Sequence, residues 1–201
     1  LDLCVDPAYA EGAGRESCNA LVYREVYRYL SRLTAGDTAY RKALAFHDWI
    51  IQAVDYASLE DGTPETAAYA HNILGVLEQK GAVCESYARC FQLLLNASGV
   101  ENLFVTGTAD GESHAWNLVR LDDGNWYWCD LTWDDTGNRA ADGGIGIRYN
   151  YFCVNDTDNT NRADDRGITW NDSNPQTFLQ NHTWNTENES AASFLYQLPA
   201  R

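Results

Sequence analysis

The sequence predicts an α+β fold in which a helical first half precedes an antiparallel sheet. Apolar residues recur every three or four positions up to Gly99, and beyond it they alternate with polar ones. Helices followed by strands are typical of α+β domains, whereas βαβ folds alternate the two. The 201 residues suffice for one sizeable hydrophobic core. We therefore expect a single domain.

Four helices are expected in the first half of the chain. The first spans 17–33, after an irregular arm over 1–16. The second begins at Asp37 and runs through "DTAYRKALAFHDWIIQAVDY". A third, shorter helix fits 66–79, and a fourth begins near Cys84 in "KGAVCESYARCFQLLL". The fourth helix has an apolar face throughout, which predicts a central, packed position.

Four strands are expected in the second half. They are "ENLFVTGTA", "ESHAWNLVRL", "NWYWCDLTW" and "IRYNYFCV", with turn signals at "DGE" and "DDGN". The polar sequence that follows predicts an irregular segment with a few apolar anchors. Within one domain we therefore distinguish a helical part over 1–64, a core over 65–155 and an irregular part over 156–201.

Composition excludes several classes of function. The net charge of -15 argues against a nucleic-acid partner, because phosphate binding needs a basic face. No apolar run approaches the roughly 20 residues of a membrane span. No Cys/His cluster has the spacing of a zinc site, so neither a metal nor another cofactor is expected. Asp134 and Asp135 could hold a cation, but a turn beyond the strand is their expected role.

The chain lacks Met and opens with Leu1, so we expect a trimmed chain or a mature fragment. We expect the protein to be extracellular or attached to the cell surface. Cys4 and Cys18 flank the Gly-rich "AEGAGRES" and are candidates for a disulfide.

Cys84 is the candidate nucleophile. At the first turn of a helix, unpaired N–H groups and the positive end of the dipole favour a thiolate. A buried, inert side chain is nevertheless the more common role of a free cysteine. His114 supplies the second signal, on a strand whose alternation places it on one face with Trp116. Asp130 follows on the next strand, where a buried carboxylate needs a partner.

The turn between these two strands decides whether the histidine and the carboxylate can meet. A two-residue turn would place them on opposite faces of the sheet. A three-residue "DDG" loop with Gly124 in the left-handed conformation would pair Leu121 with Asn125. Asp130 would then lie opposite Trp116, with the histidine as its diagonal neighbour on the same face. We predict the three-residue loop.

Together these residues form a candidate triad in the chain order Cys84, His114, Asp130. The imidazole would take the proton of the thiol. The carboxylate would hold the imidazole tautomer and stabilise its cation.

Three sequence boxes resemble the bacterial transglutaminase-like superfamily. They are "GAVCESYA", "SHAWNLVRLDDGNWYWCDLTWDD" and "YNYFCV", and members of that superfamily have boxes of the form "GVC-x-G-Y-A", "HAWN-x-V" and "W-x-x-x-D-x-T-W-D". The resemblance covers roughly 65–155. It implies a papain-like, transglutaminase-like core with Cys84, His114 and Asp130 as the triad. It also implies acyl chemistry on a carboxamide or peptide bond through a thioester. Ser86 departs from the pattern, since many members have Gly there.

The residues that would complete the cleft are less defined. The backbone N–H of Cys84 can serve as one oxyanion donor. Animal transglutaminases carry a Trp before the cysteine for this purpose, and 66–83 contains none. Candidates for the second donor or for the cleft wall are Asn72, His71, Trp116 and Trp133.

Two classes of function fit these observations. The first is a cysteine-dependent acyl enzyme, either a hydrolase or peptidase or an acyltransferase, with a protein or peptide substrate such as a cell-wall peptide. The alternative is a non-catalytic binding or scaffold module of a cell-surface protein with a vestigial triad. All three triad positions are filled, which favours the enzyme.

Overall fold

Two long helices form the N-terminal part of the fold. In this computed structural model, which describes residues 9–139, 145–154 and 182–184, α1 spans Gly12–Leu30 and α2 spans Ala39–Ala53. Thr38 caps α2 by accepting a hydrogen bond from the backbone N–H of Arg41. α1 begins inside the predicted irregular arm, because "GRESCNA" contains good helix formers and no proline.

The predicted third helix over 66–79 is wrong as a continuous element. A 3-10 turn spans Ala68–His71 and a π-helical turn spans Gly75–Gln79. Asn72 lies between them in an extended conformation. The apolar period of the sequence therefore belongs to two short turns.

Gly75 explains this break. A Cβ atom at this position would lie 2.7 Å from Ser86 Oγ and 2.8 Å from the carbonyl oxygens of Tyr69 and Gly81. No side chain fits in that space. The loop therefore packs its backbone directly against the helix that carries the nucleophile.

Helix α3 spans Cys84–Ala97 and is the central helix, as predicted. A short parallel pair leads into it, in which β1, Asp55–Tyr56, lies beside β2, Gly81–Ala82. Val83 is extended, so the helix begins at the cysteine itself. The buried side chains of α3 are Ser86, Tyr87, Ala88, Cys90, Phe91, Leu94 and Leu95.

A five-stranded antiparallel sheet forms the second layer, with the strand order β8-β5-β4-β3-β9. Its strands are β3, Asn102–Ala109; β4, Glu112–Arg120; β5, Trp126–Cys129; β8, Phe152–Val154; and β9, His182–Trp184. Between β5 and β8 lie α4, Leu131–Asp134, and the ribbon of β6, Asp135–Arg139, with β7, Ile145–Ile147.

Three predictions for the second half of the chain need correction. The strand predicted for "NWYWCDLTW" ends at Cys129, because Asp130 caps the helical turn α4. The strand predicted over 147–154 is interrupted, since its start belongs to β7 and its end to β8. The part predicted to be irregular, 156–201, contributes β9 to the edge of the sheet.

The sheet buries both of its faces. One face packs on α2 and α3 through residues such as Val119, Tyr127 and Phe152. The other face carries a smaller cluster of Val105, Trp116, Leu118, Trp128 and Val154. None of the described helices is long and apolar enough to cross a membrane.

Candidate active site

The hairpin between β4 and β5 has the predicted three-residue loop. Leu121 N–H donates to Asn125 O at 3.0 Å, and Gly124 N–H donates to Leu121 O at 2.9 Å. Gly124 is left-handed, with φ +81°. Asn117 pairs with Cys129 in the same register. The predicted three-residue loop, and the strand register that depends on it, are therefore confirmed.

This register brings Asp130 to His114. Oδ2 of the carboxylate lies 2.7 Å from Nε2 of the imidazole. Oδ1 accepts the backbone N–H of Trp133 at 3.1 Å and so caps α4. The Asp130 side chain is fully buried, and these charge-assisted hydrogen bonds offset the cost of burying it.

Cys84 is the other partner of His114. The thiol, on the first residue of α3, acts on the imidazole, since it is one of the groups that raise the pKa of His114. Since Nε2 is held by Asp130, Nδ1 is the ring atom left for the sulfur. Burial alone would lower the pKa of His114, but the charge and hydrogen bond of Asp130, together with Cys84, raise it to about 10. The imidazolium is therefore the stable form near neutral pH.

Two predicted cleft tryptophans border the imidazole, in different ways. The rings of Trp116 and Trp133 each have their centroid 5.9 Å from that of His114. Trp116 is buried and packs on Trp128, so it supports the imidazole from inside the sheet. Trp133 is half-buried and meets Tyr151 edge-on. Of the two, Trp133 has the more exposed side chain, and its role in a cleft stays a prediction.

Tyr56 is a neighbour of the site that sequence reasoning missed. It lies on β1, paired with Ala82 two residues before the nucleophile, and is 39% exposed. Burial raises the pKa of its hydroxyl, and the charges of Cys84 and Asp130 raise it further. It therefore lies close enough to both groups to sense their charge. The pairing of β1 with β2 is non-local, so no local sequence signal indicates it.

The two candidates for a second oxyanion donor have other partners. Asn72 Nδ2 donates to Ala68 O at 2.7 Å, and its Oδ1 accepts Leu74 N–H at 2.8 Å. His71 Nε2 donates to a backbone carbonyl at 2.9 Å, and its Nδ1 lies 3.3 Å from Oε2 of Glu85. Their hydrogen bonds thus hold the loop before α3 and do not reach the thiol.

Ser86, which departs from the family pattern, has a clear structural role. Its side chain is fully buried, and Oγ donates to the backbone carbonyl of Asn72. A buried hydroxyl is costly unless it is hydrogen-bonded. Here it ties the first turn of α3 to the loop around Gly75.

Asp134 and Asp135 do not lie together in a turn, contrary to prediction. Asp134 ends α4, is fully buried and lies 3.1 Å from Nε2 of His47, a residue of α2 that sequence reasoning also missed. Asp135 begins β6 and accepts the hydroxyl of Tyr87 at 2.6 Å. Within the described ranges no group of three potential ligands could hold a metal ion.

The remaining cysteines are separate from the site. Cys129 and Cys153 are buried, with their sulfurs 3.8 Å apart and no disulfide between them. Cys18 is half-buried on α1 as a free thiol among the described residues. Its predicted partner Cys4 lies outside them, so that disulfide stays a prediction.

Comparisons with known proteins identify the family of this chain. The family model of the transglutaminase-like superfamily matches residues 28–131. A crystal structure of a TGase is 18% identical, with a TM-score of 0.52 over 68% of this chain and 37% of that one. A structure from Cytophaga hutchinsonii, named a putative cysteine protease, is 18% identical, with a TM-score of 0.42 over 71% and 49%. The chain thus spans about a third and about half of their lengths. No curated protein matches. The chain belongs to the transglutaminase-like superfamily.

Proposed function

We propose that this protein is a cysteine-dependent acyl enzyme that forms a thioester between Cys84 and a protein or peptide substrate. The observation that carries the proposal is the 2.7 Å contact between the His114 imidazole and the Asp130 carboxylate, with Cys84 at the start of α3 acting on the same imidazole. A nucleophile, a base and a group that orients the base are what covalent acyl chemistry requires.

The chemistry begins from the ion pair of thiolate and imidazolium. Cys84 Sγ attacks the carbonyl carbon of a carboxamide or peptide bond, and the carbonyl oxygen becomes an oxyanion. The backbone N–H of Cys84, the first residue of α3, can stabilise that charge. When the C–N bond breaks, its electron pair leaves with nitrogen, which takes the proton from His114. A thioester and a free amine, or ammonia, result.

The second half of the cycle consumes the thioester. His114, now neutral, accepts a proton from the attacking water or amine, and the thiolate leaves as the new C–O or C–N bond forms. Asp130 keeps Nε2 protonated throughout, so that Nδ1 is the atom that exchanges protons. Water gives hydrolysis, and a primary amine gives acyl transfer.

Charge bears on the substrate only in broad terms. The net charge of -15 favours a cationic acceptor such as a lysine side chain or a polyamine over an anionic one. A cell-wall peptide and an extracellular or cell-surface location are the natural context for such chemistry and form part of the proposal.

The test is labelling with iodoacetamide across pH 5 to 9, followed by peptide mapping. In protein reduced beforehand, so that Cys18 is a free thiol, we expect Cys84 to react about 100-fold faster than an ordinary thiol below pH 7, with the half-buried Cys18 as the internal reference. In a separate reaction with unlabelled protein, hydroxylamine should trap the acyl group from candidate peptides, and Cys84→Ala should give no trapped product. Equal rates at Cys84 and Cys18 would favour the scaffold module with a vestigial triad.

A further inference from the structure

A second Asp–His pair lies at the opposite end of α4 from the candidate triad. His47 Nε2 is 3.1 Å from Asp134 Oδ2, and neither side chain has any exposed surface. His47 Nδ1 is 3.0 Å from Asp48 Oδ1. We refer to Asp134–His47 as the inner pair and to Asp130–His114 as the outer pair.

The two pairs are joined by backbone as well as by sequence. Asp134 N–H donates to Asp130 O at 3.2 Å within α4. The backbone of Tyr151 contacts both ends of this turn: its carbonyl accepts Asp130 N–H at 2.9 Å, and its N–H donates to Asp134 Oδ1 at 3.0 Å. A displacement of the Asp134 carboxylate would therefore move the whole turn, including the carboxylate of the outer pair.

Charge strengthens this link. Burial alone would lower the pKa of His47, but the hydrogen bonds and charges of Asp134 and Asp48 raise it to about 9. Burial raises the pKa of Asp134 to about 6, and the nearby negative charge of Asp130 adds to that rise against the opposing effect of His47. Near neutral pH the inner pair is therefore an imidazolium and a carboxylate. The cation of His47 offsets the repulsion between two acids on one short helix.

The surroundings of His47 leave it no catalytic role of its own. Its ring packs against Phe152 and Tyr149, with centroids 4.7 and 5.3 Å away. It has no exposed surface, so substrate cannot touch it. Of its contacts, the hydrogen bond to Asp134 is the one that leads to α4 and so to the outer pair.

We propose that His47 is a positioning residue for the reaction: by binding Asp134 it fixes α4, and with it the carboxylate of Asp130, at the distance that holds the His114 imidazole against the thiol. This inference rests on the proposed function, and it adds to the candidate triad a residue from a helix outside the three sequence boxes.

The test compares the rate of Cys84 alkylation across pH in His47→Gln, Asp134→Asn and Ile50→Ala. Ile50 is the matched control, since it lies on the same helix, is fully buried and has no polar group. Per folded molecule, we expect His47→Gln and Asp134→Asn to slow alkylation by about tenfold, the effect typical of groups that orient a reactive ligand. The steepest part of their pH profile should also shift. Ile50→Ala should lower the melting temperature but keep the wild-type profile.

The outcomes separate this inference from the proposed function. If wild-type Cys84 reacts fast and the inner-pair variants keep its profile, the inference is overturned and the proposed function stands. If Ile50→Ala changes the profile as much as they do at equal loss of stability, the effect is general loosening and the inference also fails. A wild-type thiol no faster than Cys18 overturns both.

A second measurement leaves the inner pair unaltered, in case its variants do not fold. The chain has four histidines, so ¹⁵N spectra of the ring nitrogens can be assigned one by one. Coupling between two sites is reciprocal. Asp130→Asn should therefore shift the ring signals of His47 as well as those of His114, whereas Asp135→Asn should leave His47 unchanged. Identical His47 signals in wild type and Asp130→Asn would overturn the inference.

Discussion

The outer and inner pairs each join an Asp to a His, and the two Asp residues lie four positions apart at the ends of one short helix. Their chemistry nevertheless differs. In the outer pair the second partner of the imidazole is a half-buried thiol, Cys84. In the inner pair it is another carboxylate, Asp48, at 3.0 Å. An imidazolium beside a thiolate can transfer its proton, whereas one between two carboxylates is held in place. The second partner of the imidazole, and not the Asp–His contact, therefore decides which pair can react.

The largest expected effect comes from removing the thiol of Cys84 itself. Cys84→Ala should abolish turnover and leave the fold intact, because a small residue suits the start of a helix. Cys90→Ala is the matched control: it lies on the same helix, is fully buried and should lower the melting temperature without abolishing activity. Turnover and circular dichroism check both. Retained turnover in Cys84→Ala would exclude a thioester at this residue.

The next expected effect breaks the outer pair alone. Asp130→Asn keeps the shape but can hold the imidazole in the wrong tautomer, so we expect kcat to fall by about 10²-fold or more. Asp135→Asn, whose carboxylate binds Tyr87 and not a histidine, should change kcat little. Steady-state kinetics on a peptide substrate would measure both. A larger loss in Asp135→Asn would show that the third member of the triad is assigned wrongly.

Asp134→Asn tests a position for which the sequence alone predicts little effect. Because Asp134 is fully buried against His47, we expect a loss of activity between those of Asp130→Asn and Asp135→Asn, together with a loss of stability. Melting curves and kcat from one preparation would show both. Wild-type behaviour in both would mean that the contact between Asp134 and His47 supports neither activity nor stability.

The inner pair should also contribute to the stability of the fold. Removing one member of a buried ion pair leaves an uncompensated charge, so His47→Leu should cost about 3–5 kcal/mol of unfolding free energy. The double variant His47→Leu/Asp134→Leu should cost less than the sum of the two single changes, since neither charge remains. Urea titrations would measure both. Strict additivity would mean that the two side chains do not interact.

The smallest expected effect is a dependence of stability on pH. A histidine whose pKa is raised on folding stabilises the protein fully below its unfolded pKa of about 6.5, and this contribution is lost as pH rises through the folded value. Unfolding free energy should thus decline between pH 6.5 and about 9 for His47 and about 10 for His114. His47→Gln should flatten this decline, whereas Ile50→Ala should lower the whole curve and keep its slope. Equal slopes in all three proteins would contradict a charged inner pair.

The outer pair could be predicted from sequence because every step is local. A "DDG" loop with a left-handed glycine sets the register, and the register sets which side chains share a face. The start of α3 at Cys84 could be predicted in the same way, from an apolar period and its beginning.

The inner pair could not be predicted, because its members come from distant elements. His47 lies on α2 within an amphipathic pattern, where a polar residue next to Asp48 resembles the solvent-facing side of a helix. Only the packing of α2 against α4 shows that the side of α2 that carries His47 is buried as well. The roles of Tyr56 and Gly75 could not be predicted for the same reason, since their contacts with β2 and Ser86 join separate segments of the chain.

The order of strands in the main sheet has a consequence for how the protein folds. Strands β3, β4 and β5 form a meander closed by short loops, whereas β8 and β9 reach it from much later in the chain. Local hairpins close faster than distant ones, because less chain entropy is lost. The strand of His114 should therefore form early. The Asp130 turn gets its second anchor only when the Tyr151 backbone docks ahead of β8. On refolding, fast alkylation of Cys84 should return after the sheet signal in circular dichroism, so that the nucleophile becomes reactive only once the chain around it is in place.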